Sequence, residues 1–319
     1  MASTSILITG GAGFIGSSIA EKLLSQGERV RILDDFSTGR RSNVESLRGH
    51  VELVEGSITN PETVKAALEG IRVVFHEAAI PSVARSVADP VATMNAGVLG
   101  TTVMLNGARH AGVKRFVFAA SSSAYGDTPT LPKIETMTPA PLSPYAISKL
   151  TGEHMLRVCA KLYGLETVSL RYFNVFGPRQ DPNSHYAAVI PAFITKVLHQ
   201  EPPTMNGDGE QTRDFCFIDN TVEANLLAAT TANKLSGEVI NIACGERTSL
   251  NQLFAHITDL AREYGLAGAS LKPNYGPARA GDVRDSLASI DAARALIGYE
   301  PRVLIRDGLR RTFDALRGA

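Results

Sequence analysis

Ile6-Leu-Ile-Thr-Gly10-Gly-Ala-Gly13-Phe-Ile-Gly16 is the stretch whose reading decides the fold. Ile6, Leu7 and Ile8 run apolar without alternation, as in a strand buried on both faces of a parallel sheet. Glycines follow at 10, 13 and 16. Ile15, Ile19, Ala20, Leu23 and Leu24 then recur at helical spacing, and Gly27 stops the helix. The reading is strand, glycine turn, helix. Gly10 permits a tight turn, Gly13 lets backbone approach a pyrophosphate, and Gly16 lets helix pack close to strand. The free N–H groups and positive dipole end of that helix suit phosphates.

A glycine fingerprint alone is weak, so its surroundings matter. The next strand, Val30-Arg-Ile-Leu33, ends in Asp34, where a dinucleotide site needs an acid for the ribose hydroxyls. An acid there repels a 2′-phosphate, which favours NAD over NADP. Arg40 and Arg41 stand close enough to bear on that choice.

Working outward, strand and helix patterns alternate to about residue 175. Strands are expected at 51–54, 71–75, 115–118 and 167–170, and long helices at 91–111 and 144–163. Asn60 and Pro61 open a helix as N-cap and first helical residue. Such alternation predicts an α/β fold with a Rossmann-like, doubly wound parallel sheet. Beyond 175 the texture is loop-rich, with helix patterns near 187–199, 220–233, 249–265 and 289–297. A cofactor domain over 1–175 and a smaller substrate domain over 176–319 are expected. Strand-like segments at 214–218 and 238–242 would return to the first.

The 319 residues carry 32 basic and 32 acidic side chains, so charge asks for neither nucleic acid nor a membrane surface. No apolar run approaches the ~18 residues of a membrane helix, and residues 1–4 lead straight into a strand with no visible leader. Cys159, Cys216 and Cys244 are odd in number and lack metal-ligand spacing. They read as thiols of a cytoplasmic protein without a metal site.

In doubly wound sheets ligands bind beyond the strands' C-terminal ends. The residues there are His76-Glu-Ala-Ala79, Ala119-Ala-Ser-Ser-Ser-Ala-Tyr125 and Arg171-Tyr-Phe-Asn174. Tyr145 and Lys149, four apart, share one helical face. A lysine ammonium and a cationic nicotinamide would lower the tyrosine's pKa and favour a phenolate able to take a hydroxyl proton. Ser121 would orient the same oxygen and relay the proton.

These residues resemble an extended short-chain dehydrogenase/reductase, and more narrowly the nucleotide-sugar 4-epimerases. The likeness spans essentially the whole chain. It includes Arg171-Tyr-Phe-Asn-Val-Phe-Gly177, Gly207-Asp-Gly-Glu-Gln-Thr-Arg-Asp214 and Arg279-Ala-Gly-Asp282. The resemblance implies tightly bound NAD, a UDP-sugar substrate, and a homodimer through a four-helix bundle built from the two long helices. It implies Ser121, Tyr145 and Lys149 as catalytic residues. NAD would be held by Gly10, Gly13, Phe14, Ile15, Gly16, Asp34, Ser57, Ile58, Ala79, Tyr145, Lys149 and Phe173. The UDP-sugar would meet Ser121, Ser123, Tyr145, Asn174, Ala188, Val189, Asn206, Arg213, Arg279, Asp282 and Ser286. Two arginines suit a diphosphate, because forked donors balance its charge.

Two positions depart from the family pattern. Ser57 stands where an aspartate often precedes Ile58, and Gly97 takes an asparagine's place in the long helix. Ser122 and Ser123 occupy the acid and base positions of the related dehydratases, and neither can perform that elimination. Ser286 stands where epimerases restricted to plain hexoses carry a bulky tyrosine. The resemblance therefore implies UDP-N-acetylglucosamine and UDP-N-acetylgalactosamine as the preferred pair, with UDP-glucose and UDP-galactose slower. A UDP-glucuronate 4-epimerase or decarboxylase is the alternative, and an NAD-binding protein without catalysis the non-enzymatic one.

Overall fold

The structure, a computed structural model, describes residues 5–47, 49–180, 188–277 and 283–318. Its centre is a seven-stranded, wholly parallel sheet. The strands are β1 (Ile6–Thr9), β2 (Val30–Asp34), β3 (Val51–Glu55), β4 (Val73–His76), β5 (Arg115–Ser121), β6 (Glu166–Tyr172) and β7 (Ser236–Ile242). They lie in the order β7-β6-β5-β4-β1-β2-β3. The order reverses beside β1, and the crevice there is where such sheets bind ligands. Register sets what meets in it. Thr9 pairs with Leu33 and His76, His76 with Phe118, and Ser121 with Tyr172.

Both faces of the sheet are covered. Ile6, Ile8, Ile32, Phe75, Val117 and Val168 belong to one buried cluster, and Leu7, Leu33, Val74, Phe116 and Phe118 to the other. The unbroken apolar runs of these strands thus answer to two cores at once. The first cluster continues through Phe176, Phe193, Phe217, Phe254 and Phe313 into the C-terminal third. That third is built on helices Val189–Leu198, Leu250–Glu263 and Ile305–Arg317, with Phe193 and Phe254 edge to face at 6.0 Å. No described helix is long and apolar enough to cross a membrane.

Two elements differ from expectation. The helix expected over 91–111 is wound in three parts. These are α-helix Pro90–Met94, a π-helical segment Asn95–Gly100, and α-helix Thr101–Ala111. Gly97 lies in the π segment, and a Cβ there would stand 2.8 Å from Ser148 of the neighbouring helix Pro144–Tyr163. The segment expected at 214–218 contributes only Cys216–Phe217, which pairs with Val175–Phe176 away from the main sheet. Its neighbour at 238–242 does join the sheet, as β7 beside β6.

Candidate active site

The glycine loop leaves β1 and enters helix α1 (Phe14–Ser25). Gly10 sits at φ +68°, and a Cβ on it would come within 2.7 Å of the Ala78 amide. On Gly16 a Cβ would fall 2.3 Å from the Gly10 carbonyl oxygen. Neither position admits a side chain. Gly13 is the N-cap and supplies no capping side chain, so the first N–H groups of α1 face the crevice uncommitted.

That crevice is a cavity of about 590 Å³. Gly10, Gly13, Phe14, Ile15, Gly16, Asp34, Ser57, Ile58, Ala79, Tyr145 and Lys149 all line it. Phe173, expected with them, instead lies buried beneath, its ring centroid 6.1 Å from that of Tyr125. The Asp34 carboxylate accepts from the Ala12 and Phe36 amides, both at 2.8 Å. Burial pushes its pKa up, and those two N–H groups oppose the push. Asp34 therefore shapes the glycine loop as well as facing the cavity. Arg41 is drawn aside onto Glu55 and the Phe36 ring, while Arg40 lines the cavity. A Cβ-free cradle, open helix N–H groups and an acid at the end of β2 fit a dinucleotide.

Ser121 ends β5, and its Oγ accepts from the Ser123 amide at 3.2 Å and the Ser123 hydroxyl at 2.9 Å. Tyr145 and Lys149 lie near the start of helix Pro144–Tyr163, which Ser143 caps and Pro144 begins. Tyr145 stands beside Ser121, whose hydroxyl favours the ionised phenol. The Lys149 ammonium donates to the Ala119 carbonyl at 2.7 Å and lies 5.9 Å from the Tyr145 ring centroid. Burial pushes its pKa down to about 8, and the Glu77 carboxylate pulls the other way. The expected lowering of the Tyr145 pKa is not what the protein alone produces. Burial pushes the phenol up and Glu77 adds to that, while the Ser121 hydroxyl opposes them. The lysine four residues on was legible in the sequence, whereas the burial that raises the phenol's pKa is a property of the fold.

Glu77, which the sequence places at the ligand end of the sheet without a role, is part of the site. It follows β4 directly, lines the cavity, and accepts from the Tyr172 hydroxyl at 2.9 Å. Burial pushes its pKa up to about 7. The available signal was an acid immediately after an apolar strand, at the ligand end of the sheet. Beneath it His76 is fully buried, and its tautomer follows from its partners. The Thr101 hydroxyl donates to the Gly97 carbonyl at 2.7 Å, so it accepts from Nε2–H at 3.1 Å. Nδ1 then accepts from the Thr9 hydroxyl at 2.7 Å.

Of the expected substrate residues, Ala188 lines the same cavity and Val189 begins the following helix. Asn174 sits at φ +33° with its amide on the Asp214 carbonyl, 3.1 Å away. Arg213 and Ser286 come together although 73 residues separate them in sequence. The Ser286 amide donates to the Thr212 carbonyl at 3.1 Å, and the Arg213 guanidinium reaches the Arg284 carbonyl at 3.1 Å. Asn206 is tied into the same turn by the Gln211 side chain. Asp214 locks the arrangement. It is fully buried and accepts from the amides of Cys244, Gly245 and Ala288. Arg279 and Asp282 lie outside the described residues.

A doubly wound sheet with this loop and a Ser-Tyr-Lys constellation at its mouth defines an NAD-dependent enzyme of the short-chain dehydrogenase/reductase type. Residues 6–243 match the NAD dependent epimerase/dehydratase family, and the chain belongs to it. It is similar to the UDP-glucose 4-epimerase of Thermotoga maritima, solved with UDP-glucose. The identity is 38%, the TM-score 0.91, and coverage 98% of this chain and 99% of that one. It is also similar to the UDP-N-acetylglucosamine 4-epimerase of Methanobrevibacter ruminantium, solved with UDP-N-acetylmuramic acid. Identity there is 35% and the TM-score 0.91, over 99% of this chain and 98% of that one. A third likeness is to the UDP-glucuronic acid 4-epimerase of Bacillus cereus, solved with UDP-glucuronic acid and NAD. It is 32% identical with a TM-score of 0.90, over 98% of this chain and 99% of that one.

Proposed function

We propose that this protein is a UDP-sugar 4-epimerase. It interconverts UDP-N-acetylglucosamine and UDP-N-acetylgalactosamine, and turns over UDP-glucose and UDP-galactose more slowly. The single observation that carries the substrate choice is Ser286, a small residue in the segment that abuts Arg213.

Bound NAD supplies a hydride acceptor that returns what it takes. The chain's own residues do the rest. Tyr145 takes the proton from the sugar's 4-hydroxyl, and Ser121 orients that oxygen. Lys149 keeps a positive charge beside the phenol. Arg213, with Asn174 and Arg279, grips the diphosphate, and Phe14 and Ile15 lie along the dinucleotide. A 4-keto sugar must then turn over and be protonated on the same oxygen by Tyr145. Such a cycle requires a tight hold on UDP and a loose one on the sugar. Residues 1–175 with the returning strand β7 serve as the cofactor domain, and 176–319 as the UDP-sugar domain.

The protein works as a homodimer through a four-helix bundle, in the cytoplasm. Supporting the dimer, Val87 is exposed on the short helix Val83–Ala88, Val91 and Leu99 on the run Pro90–Gly100 that follows it, and Ile147, Val158 and Leu162 on the long helix Pro144–Tyr163. An apolar stripe of that kind asks for a partner. The test of the substrate assignment is incubation with UDP-N-acetylglucosamine, UDP-glucose and UDP-glucuronate separately, with products resolved by NMR. The acetylated sugar should epimerise fastest. Turnover of UDP-glucuronate alone would overturn the assignment in favour of the uronate epimerase or decarboxylase.

A further inference from the structure

We propose that Glu77 is a positioning residue, an anchored counter-ion to Lys149 that keeps the Tyr145–Lys149 pair in its working protonation state. The proposal rests on the reading of Tyr145 and Lys149 as the catalytic pair.

Register places Glu77 for this role. His76 pairs with Phe118, so the next residue, Glu77, lies level with Ala119. Ala119 is the residue whose carbonyl holds the Lys149 ammonium at 2.7 Å. Neighbouring strands run about 4.8 Å apart, so the Glu77 backbone stands one strand spacing from the carbonyl that holds the ammonium; carboxylate and ammonium make no direct ion pair and act on each other across the cavity they share. Both line the same cavity.

The carboxylate is held from the far side of β5. Tyr172, on β6, donates its single hydroxyl proton to Glu77 at 2.9 Å. Its oxygen accepts from the Asn225 amide at 2.8 Å, and that amide also donates to the Thr221 carbonyl at 2.9 Å. Anchoring by itself does not require a charge, because a glutamine oxygen accepts from Tyr172 equally well. A recessed carboxylate is costly unless something compensates it, and the compensating groups here are the Tyr172 hydroxyl first and the Lys149 charge second. The ionisable groups facing Glu77 are Lys149 and Tyr145 from the helix and Tyr172 from β6, with neutral His76 beneath.

Two consequences follow from one charge. Glu77 opposes the burial that would strip the proton from Lys149, and it raises the cost of forming phenolate at Tyr145. Removing it should move both limbs of the pH profile in the same direction. Glu77→Gln keeps size and the Tyr172 bond and deletes the charge. Both limbs of its kcat/KM profile should shift acid by roughly one pH unit, the scale of one nearby charge. Glu77→Asp, which keeps the charge, should return them toward wild type. A second readout does not depend on turnover. The near-ultraviolet tyrosinate signal, taken as the difference between each enzyme and its Tyr145→Phe counterpart, should titrate at lower pH in the Glu77→Gln background. A uniform loss of rate with unmoved limbs and an unmoved tyrosinate titration would overturn the proposal. So would limbs that move apart. If Tyr145→Phe keeps full turnover, the catalytic reading fails by itself, and the tyrosinate titration still judges Glu77.

Discussion

Tyr145 is the residue on which the chemistry turns, and its phenol oxygen can be deleted without disturbing the packing of its ring. Tyr145→Phe should keep the fold and its NAD while turnover drops by roughly 10²–10⁴-fold, the usual worth of a general base. Ser121→Ala should lose less, since water can stand in for a relaying hydroxyl. Steady-state rates with released NAD measured on the same samples check both. At Ser286 the expected change is one of ratio. Ser286→Tyr should abolish turnover of UDP-N-acetylglucosamine and spare UDP-glucose, because overpacking a filled site costs about 1–3 kcal/mol or more. An unchanged ratio of the two rates would remove Ser286 from specificity. His76 gives a pH dependence with a definite sign. Burial pushes its pKa down from 6.5 to about 3. The folded state therefore binds fewer protons than the unfolded chain between those values. The stability His76 contributes is complete above about 6.5 and drains as pH falls toward 3. At pH 5 roughly 2 kcal/mol should be gone. Urea unfolding of wild type and His76→Gln should give curves that converge as pH falls. Ser121, Tyr145, Lys149 and Asp34 were legible because each is fixed by a short spacing or by the end of one strand. Glu77 was not, because its side chain's partners, Tyr172 and Lys149, come from β6 and the helix Pro144–Tyr163, far from it in sequence. The sign of the Tyr145 shift was hidden for the same reason, since burial is a sum over the whole fold.

Among the elements, strands and long helices were legible where one period persisted. Both faces of the sheet's central strands are buried, so β1, β4 and β5 read as apolar runs, and Pro144–Tyr163 carries its own capping serine and N1 proline. The π-helical segment Asn95–Gly100 could not be read, because its cause lies in another helix. Gly97 presses on Ser148, and the Thr101 hydroxyl takes the Gly97 carbonyl. Such single π turns arise where a helix must fit its surroundings. Gly97→Ala places a Cβ 2.8 Å from Ser148 Cβ and Oγ. It should cost about 1–3 kcal/mol in chemical denaturation, as overpacking does. Pairing it with Ser148→Gly should recover most of the loss. The two-residue strand Thr212–Arg213 was equally invisible, and Cys216–Phe217 was legible as strand while its pairing with Val175–Phe176, away from the main sheet, was not. Thr212–Arg213 is too short to show a period, and what holds both is Asp214 with its three backbone partners.

At the scale of the molecule, the outward apolar stripes make assembly testable. Val91 is 77% exposed and Leu162 64% exposed. Val91→Glu with Leu162→Lys should yield a monomer by sedimentation velocity while leaving each chain folded by circular dichroism. A wild-type chain that sediments as a monomer would remove the bundle. The place of β7 bears on something else, the order in which the ribosome delivers the chain. The glycine loop, Asp34, Ser121, Tyr145 and Lys149 have all been synthesised by residue 149, yet the neighbour that closes the open side of β6 arrives only at Ser236–Ile242. Gly237 then seats so tightly that a Cβ there would lie 2.6 Å from the Arg157 backbone. From the completion of β6 at Tyr172 until Ser236–Ile242 emerges, β6 presents an unpaired, apolar edge of the kind that recruits other chains. A nascent chain stalled between these points should need chaperone protection, and one released past residue 242 should need less.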